Sequence, residues 1–92
     1  MDFETKLKRI YQSNQCLENL GTPDFISRVR DALTDETKQY IVENDFSLRI
    51  YARILHDAME LSESPSEANA YFMERIQDQN YVIGLMREFG ER

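Results

Sequence analysis

Apolar residues recur along this chain at spacings of three and four. Phe3, Leu7, Ile10, Tyr11, Leu17 and Leu20 mark one stripe, which predicts a helix from Phe3 to Leu20 stopped by Gly21. Thr22-Pro23-Asp24 then reads as a start signal. It offers a capping oxygen, a proline whose missing N–H is harmless at the first helical position, and an acid at the positive end of the helix dipole. Phe25, Ile26, Val29 and Leu33 give this second helix a short apolar face, and Thr34-Asp35-Glu36 opens a third whose buried side is Tyr40 and Ile41. After a stop and restart at Asn44-Asp45, the positions Phe46, Ile50, Tyr51, Ile54, Leu55, Ala58 and Leu61 follow a period of about 3.6 more closely than any other segment.

The next boundary, Ser62-Glu63-Ser64-Pro65-Ser66-Glu67, contains a capping box. Ser64 bonds the third N–H of the helix, Glu67 reaches back to the serine's own N–H, and Pro65 takes the first helical position. The last apolar series is Ala68, Tyr71, Phe72 and Ile76, then Val82, Ile83, Leu85, Met86 and Phe89, with Gly90 as a stop. Its polar middle, Asp78-Gln79-Asn80, together with Gly84, allows a break near Asn80, and Tyr81-Val82-Ile83 can alternatively be read as a short strand. The expected fold class is all-α, one domain over residues 1–92 built as a bundle of four to five helices. Three Gly and two Pro in the whole chain suit long helices with short connections better than a sheet.

A chain of 92 residues buries only roughly 60 to 65% of the surface its unfolded form exposes, so a homodimer or another partner is expected to add stability. With 41% hydrophobic and 30% charged residues the chain is too apolar to be disordered. The solitary Cys16 excludes a disulfide framework, no apolar run approaches a membrane span, and MDFETKLKRI lacks the apolar segment of a signal peptide. The expected location is therefore the cytoplasm.

Charge changes the picture more through its placement than through its total of -6. Residues 31–74 carry ten acids against three bases, a net of -7, while the two flanks are near neutral. Such a surface repels nucleic acid and anionic lipid and attracts basic protein surfaces. Lys6, Lys8 and Arg9 sit among Asp2 and Glu4 and read as a mixed solvated face, not as a nucleic-acid patch.

The chain offers little reactive chemistry. One histidine cannot form a His-based metal pair, and Gly21, Gly84 and Gly90 are too far apart for a phosphate-binding or dinucleotide loop. His56 and Asp57 are adjacent, and adjacent helical residues point in different directions, which disfavours a general-base pair. Cys16 has no Lys or Arg within a turn to lower its pKa. Asp35-Glu36 and Glu43-Asp45 lack the alternating ligands and central glycine of an EF-hand loop. Met59, Met73 and Met86 lie among aromatic residues and read as core filler or as an adaptable interface. No enzymatic activity, metal or cofactor is expected.

What remains is the acidic band. Between Arg53 and Arg75 the chain has Asp57, Glu60, Glu63, Glu67 and Glu74 and no Lys or Arg. Asp57 falls four residues after Arg53 on a face that also carries Asp45 and Arg49, and Glu67 has its capping role, so Glu60, Glu63 and Glu74 are the acids least explained by folding. Asp31, Asp35, Glu36 and Glu43 extend the band. One interpretation is the ordinary solvated face of an acidic protein. The other is imitation of phosphates, in which the carboxylates occupy the Lys and Arg groups of a DNA-binding protein. Duplex DNA presents a charge per roughly 1.7 Å, whereas acids three or four apart on a helix rise about 5 Å per charge. Two helices or two subunits side by side would therefore be needed. A rival class is a helical adaptor binding its partner through an apolar surface of Tyr81, Met86 and Phe89.

The opening MDFETKLKRIYQ, the midsection SLRIYARILHDAMELSESPSEANAYF and the ending GLMREFGER resemble the small anti-restriction nuclease protein family of T-even bacteriophages. The resemblance spans essentially the whole chain. It implies an early phage protein that works in the host bacterial cytoplasm as a dimeric DNA mimic. It also implies inhibition of a host restriction endonuclease directed at modified-cytosine DNA, with no cofactor and no enzymatic activity. Eleven bases dilute the negative field of this chain relative to an ideal mimic. The phosphate-mimicking residues named above come from charge placement alone.

Overall fold

A computed structural model of the protein describes residues 2–12, 23–44 and 47–90, with the side chains of 23–25 excepted. The expected continuation of the first helix to Leu20, the Gly21 stop, the Thr22 cap, the Phe25 side chain, Cys16, Asp45 and Phe46 lie outside the described residues. Six helices and no strand are found among them: α1 (Phe3–Gln12), α2 (Pro23–Ala32), α3 (Asp35–Glu43), α4 (Leu48–Leu61), α5 (Pro65–Gln77) and α6 (Gln79–Glu88). None is long and apolar enough to cross a membrane.

The count of six corrects the expected four to five, and Asp78 is the reason. Its N–H closes the end of α5 on the Arg75 carbonyl at 3.2 Å. Its carboxylate accepts from the N–H groups of Asn80 (3.1 Å) and Tyr81 (3.2 Å), so the same residue starts α6. The polar interval is thus a stop and restart, and Tyr81-Val82-Ile83 is helical, not a strand. Replacing Asp78 by Ala is expected to cost about 1 kcal/mol, the usual loss for a helix N-cap, and to fray α6 first. Faster amide exchange at Asn80 and Tyr81 than in α4 is the readout.

Helix α4 is the organising element because its stripe is the most regular. It buries Ile50, Tyr51, Ala52, Ile54, Leu55, Ala58 and Met59, and α1, α2, α5 and α6 all pack against it. Tyr51 stacks on Phe72 of α5 with ring centres 6.3 Å apart, within the usual range for aromatic pairs. Leu7, Ile10 and Tyr11 of α1, Val29 of α2, Leu33, Ile41 of α3, Ala68 and Ile76 of α5 and Val82 and Leu85 of α6 complete the core. Met59 is buried, and Met73 and Met86 pack partly buried against the same core, which fits their reading as filler. Gly90 at φ +74° ends α6 in a conformation that suits glycine.

Two expectations about local chemistry change. Lys6, placed on a solvated face by its charged neighbours, is buried at 7% exposure. Its ammonium donates to the carbonyls of Ile41 (2.5 Å) and Asn44 (2.9 Å) at the end of α3. Tyr51 also donates its hydroxyl to Asn44. In the Ser64 box, Ser64 Oγ does accept from the Glu67 N–H at 3.2 Å, but the Glu67 carboxylate reaches the N–H of Glu63 at 2.9 Å. The cap therefore closes one residue earlier in the chain than the standard motif.

Candidate functional site: the acidic surface

The acids of the band are exposed except Asp57, and the fold distributes them over several separate places. Asp57, on the side of α4 facing α6, meets Arg53 Nε at 3.3 Å and His56 Nδ1 at 3.5 Å. Arg53 in turn reaches Glu88 of α6 at 3.1 Å. The Glu88 hydrogen bond, more than Asp57, holds the Arg53 guanidinium above its usual pKa, and the two carboxylates share this one guanidinium. The contact between adjacent His56 and Asp57 departs from the expectation that neighbouring helical side chains diverge. Arg53 holds the carboxylate on this side of the helix, where the imidazole can reach it.

Glu60 lies on the exposed face of the last turn of α4. Glu63 does not continue that row, because α4 ends at Leu61 and Ser62 caps it in extended conformation. Glu63 instead lines a groove of about 290 Å³ formed by the ends of α2 and α4 and the start of α5, where it is joined by Asp31 and Arg28. Asp31 is 3.8 Å from Arg30 Nε, with its side chain 78% exposed. A second groove of about 350 Å³, between α3 and α5, brings Glu36 and Glu43 together over Tyr40 and Met73. Glu43 accepts from Gln39 at 2.7 Å.

Asp35 and Glu36 occupy the first turn of α3, where the helix dipole favours acids, so folding accounts for part of their presence. Glu67 and Glu74 share a face of α5 seven residues apart, but Glu67 is held by the cap. Glu74 neighbours Arg75, whose guanidinium lies 5.0 Å from the Tyr71 ring and 5.4 Å from that of Tyr81. Its hydrogen bond to Tyr71, with a smaller contribution from Glu74, raises the Arg75 pKa. Glu60 and Glu63 make no ion pair among the described residues.

The apolar surface named for an adaptor is largely covered. Tyr81, Met86 and Phe89 pack partly buried against the core, and Arg49 lies 4.8 Å from the centre of the Phe89 ring. Among the described residues the large apolar side chains left exposed are Leu61 (68%) and Ile83 (45%). Leu61 corrects the periodic reading, which put it on the buried stripe. The period continues to Leu61, but the chain turns toward α5 at Ser62 and the stripe outruns its packing surface. No group of three or more His, Cys, Asp or Glu with metal-holding geometry occurs among the described residues.

Compared with known protein families, curated proteins and solved structures, the chain matches none.

Proposed function

We propose that this protein is an acidic DNA mimic that occupies the DNA-binding surface of a host restriction endonuclease, one directed at modified-cytosine DNA, and so shields phage DNA. The observation that carries the reading is the pair Glu60 and Glu63, two exposed carboxylates with no ion pair among the described residues, in a stretch of the chain that has no Lys or Arg between Arg53 and Arg75. The resemblance to the anti-restriction nuclease family points the same way. The mechanism is occupancy. Carboxylates meet the Lys and Arg groups that would hold the DNA backbone, and binding weakens as salt screens them. A single copy presents its charges too sparsely to match a duplex, so the active form is a homodimer working in the bacterial cytoplasm.

The test is displacement of duplex DNA from such a nuclease at moderate salt. The wild-type protein is expected to displace it, and Glu60→Lys with Glu63→Lys to do so at least about tenfold less well, with a shallower dependence on salt. Both residues are exposed, so the variant keeps its fold. Equal displacement by wild type and variant would sink the proposal.

A further inference from the structure

The groove bearing Glu63 has a feature that phosphate imitation does not require. Its floor is apolar, made by Ala58, Met59 and Ala68, while Arg28, Asp31 and Glu63 stand on its rim. Met59, Ser62, Glu63 and Ser64 line it, and Leu61, the most exposed large apolar side chain described, stands outside the lining in the same turn, with Glu60 directly before it. At about 290 Å³ the groove falls at or below the lower end of small-ligand sites, roughly 300–1,000 Å³, and so admits a side chain or two. An exposed leucine gains from burial, and protein contacts typically concentrate their affinity in an apolar centre surrounded by a polar rim. The rim has more negative than positive groups and Glu60 adds a further carboxylate, so the complementary occupant is basic.

We infer that the α4–α5 turn and its groove form an apolar-centred docking surface for a protein segment that presents an apolar side chain flanked by lysine or arginine. The inference rests on the proposed reading of this acidic face and deepens it: the partner is held by an apolar anchor as well as by charge. Charge contacts weaken with salt, but the anchor does not, so part of the affinity persists at high ionic strength. Arg28 opposes a basic partner, and removing that opposition strengthens binding.

The test uses the full chain and a short helical peptide of leucine and lysine, with a lysine-only peptide of equal length as control. Leu61→Ser is expected to bind the leucine-lysine peptide about tenfold more weakly, at low and high salt alike, and the lysine-only peptide as wild type does. Arg28→Glu is expected to bind both peptides several-fold more tightly. Amide shifts on titration should centre on Ala58 to Ala68. Leu61→Ser binding the leucine-lysine peptide like wild type, or shifts centred elsewhere, overturns the inference. It is also overturned if Leu61→Ser dissolves a dimer that wild type forms and leaves peptide binding unchanged, since the groove then takes a second copy. Failure of the nuclease competition with the peptide results intact would instead remove the DNA-mimic reading and leave the docking surface standing.

Discussion

Asn69→Ala is expected to lower the stability of the protein by about 2–3 kcal/mol, a large share of the roughly 5–15 kcal/mol available to a domain. Asn69 is a polar residue on the buried face of α5, and every arm of its amide is engaged. Its Nδ2 donates to the Ala32 carbonyl and to the Pro65 carbonyl, both at 2.7 Å. Its Oδ1 accepts from the Thr34 N–H at 2.9 Å and lies 3.4 Å from the Thr34 hydroxyl. One side chain therefore satisfies the end of α2, the cap of α3 and the first turn of α5. Truncation leaves the Ala32 carbonyl and the Thr34 N–H without those partners in a part-buried place, which costs more than a bond between exposed groups. Thermal denaturation should show a fall of roughly 10–20 °C in Tm. Asn69→Asp sharpens the test. A carboxylate facing two carbonyls is disfavoured, and the proton that relieves the clash binds with a raised pKa in the folded state. The destabilisation relative to wild type should be largest near neutral pH and shrink toward about pH 4. A Tm loss for Asn69→Ala under about 3 °C would show that the amide is not the staple described.

Lys6→Met should be at least as damaging, with about 3 kcal/mol lost, because two charge-assisted hydrogen bonds to carbonyls at the end of α3 disappear together. The ammonium also lies 5.3 Å from the centre of the Tyr51 ring, a cation–π contact that methionine cannot replace. Helix α3 has no base in its last turn, so Lys6, reaching across from α1, supplies the cation that the negative end of its dipole favours. Lys8→Met is the control: Lys8 is exposed, and its loss should stay within about 0.5 kcal/mol. Urea denaturation separates the two, and equal midpoints for Lys6→Met and Lys8→Met would remove Lys6 from its role in tying α1 to α3.

Neither residue was legible in the sequence as a structural linchpin. Lys6 looked like its neighbours Lys8 and Arg9, because nothing local reveals that a carbonyl cluster 35 and 38 residues away will face one of the three. Asn69 fell between apolar positions with no sign that its partners lie at 32 and 34. By contrast Thr34, Ser64, Pro65 and Gly90 were legible as boundary markers, because capping and left-handed backbone depend on residues within one turn. Asp78 shows the intermediate case: the polar interval was visible, but whether it bent a helix or ended one depended on its carboxylate turning onto its own following N–H groups.

The candidate surface divides in the same way. The absence of Lys and Arg between Arg53 and Arg75 is a property of the chain, and with the pairing of Asp57 and the capping role of Glu67 it singled out Glu60, Glu63 and Glu74 without coordinates. The pairing of Arg53 with Asp57 followed from a spacing of four on one helix. That Arg53 also reaches Glu88, and that Asp31 and Glu63 share a groove with Arg28, joins residues far apart in the chain. That Leu61 stands in solvent likewise depended on where α4 stops and how the chain turns toward α5.

By itself, then, the sequence determined the all-helical class, most helix boundaries, the identity of α4 as the central stripe and the excess of acid in the middle of the chain. These follow from periodicity, capping and composition, which act over a few residues. Only the tertiary structure decided which polar groups are buried as staples, which acids are neutralised from another helix and which apolar residue is left uncovered. Each of these depends on side chains meeting across helices, and such meetings are selected by packing the whole core at once.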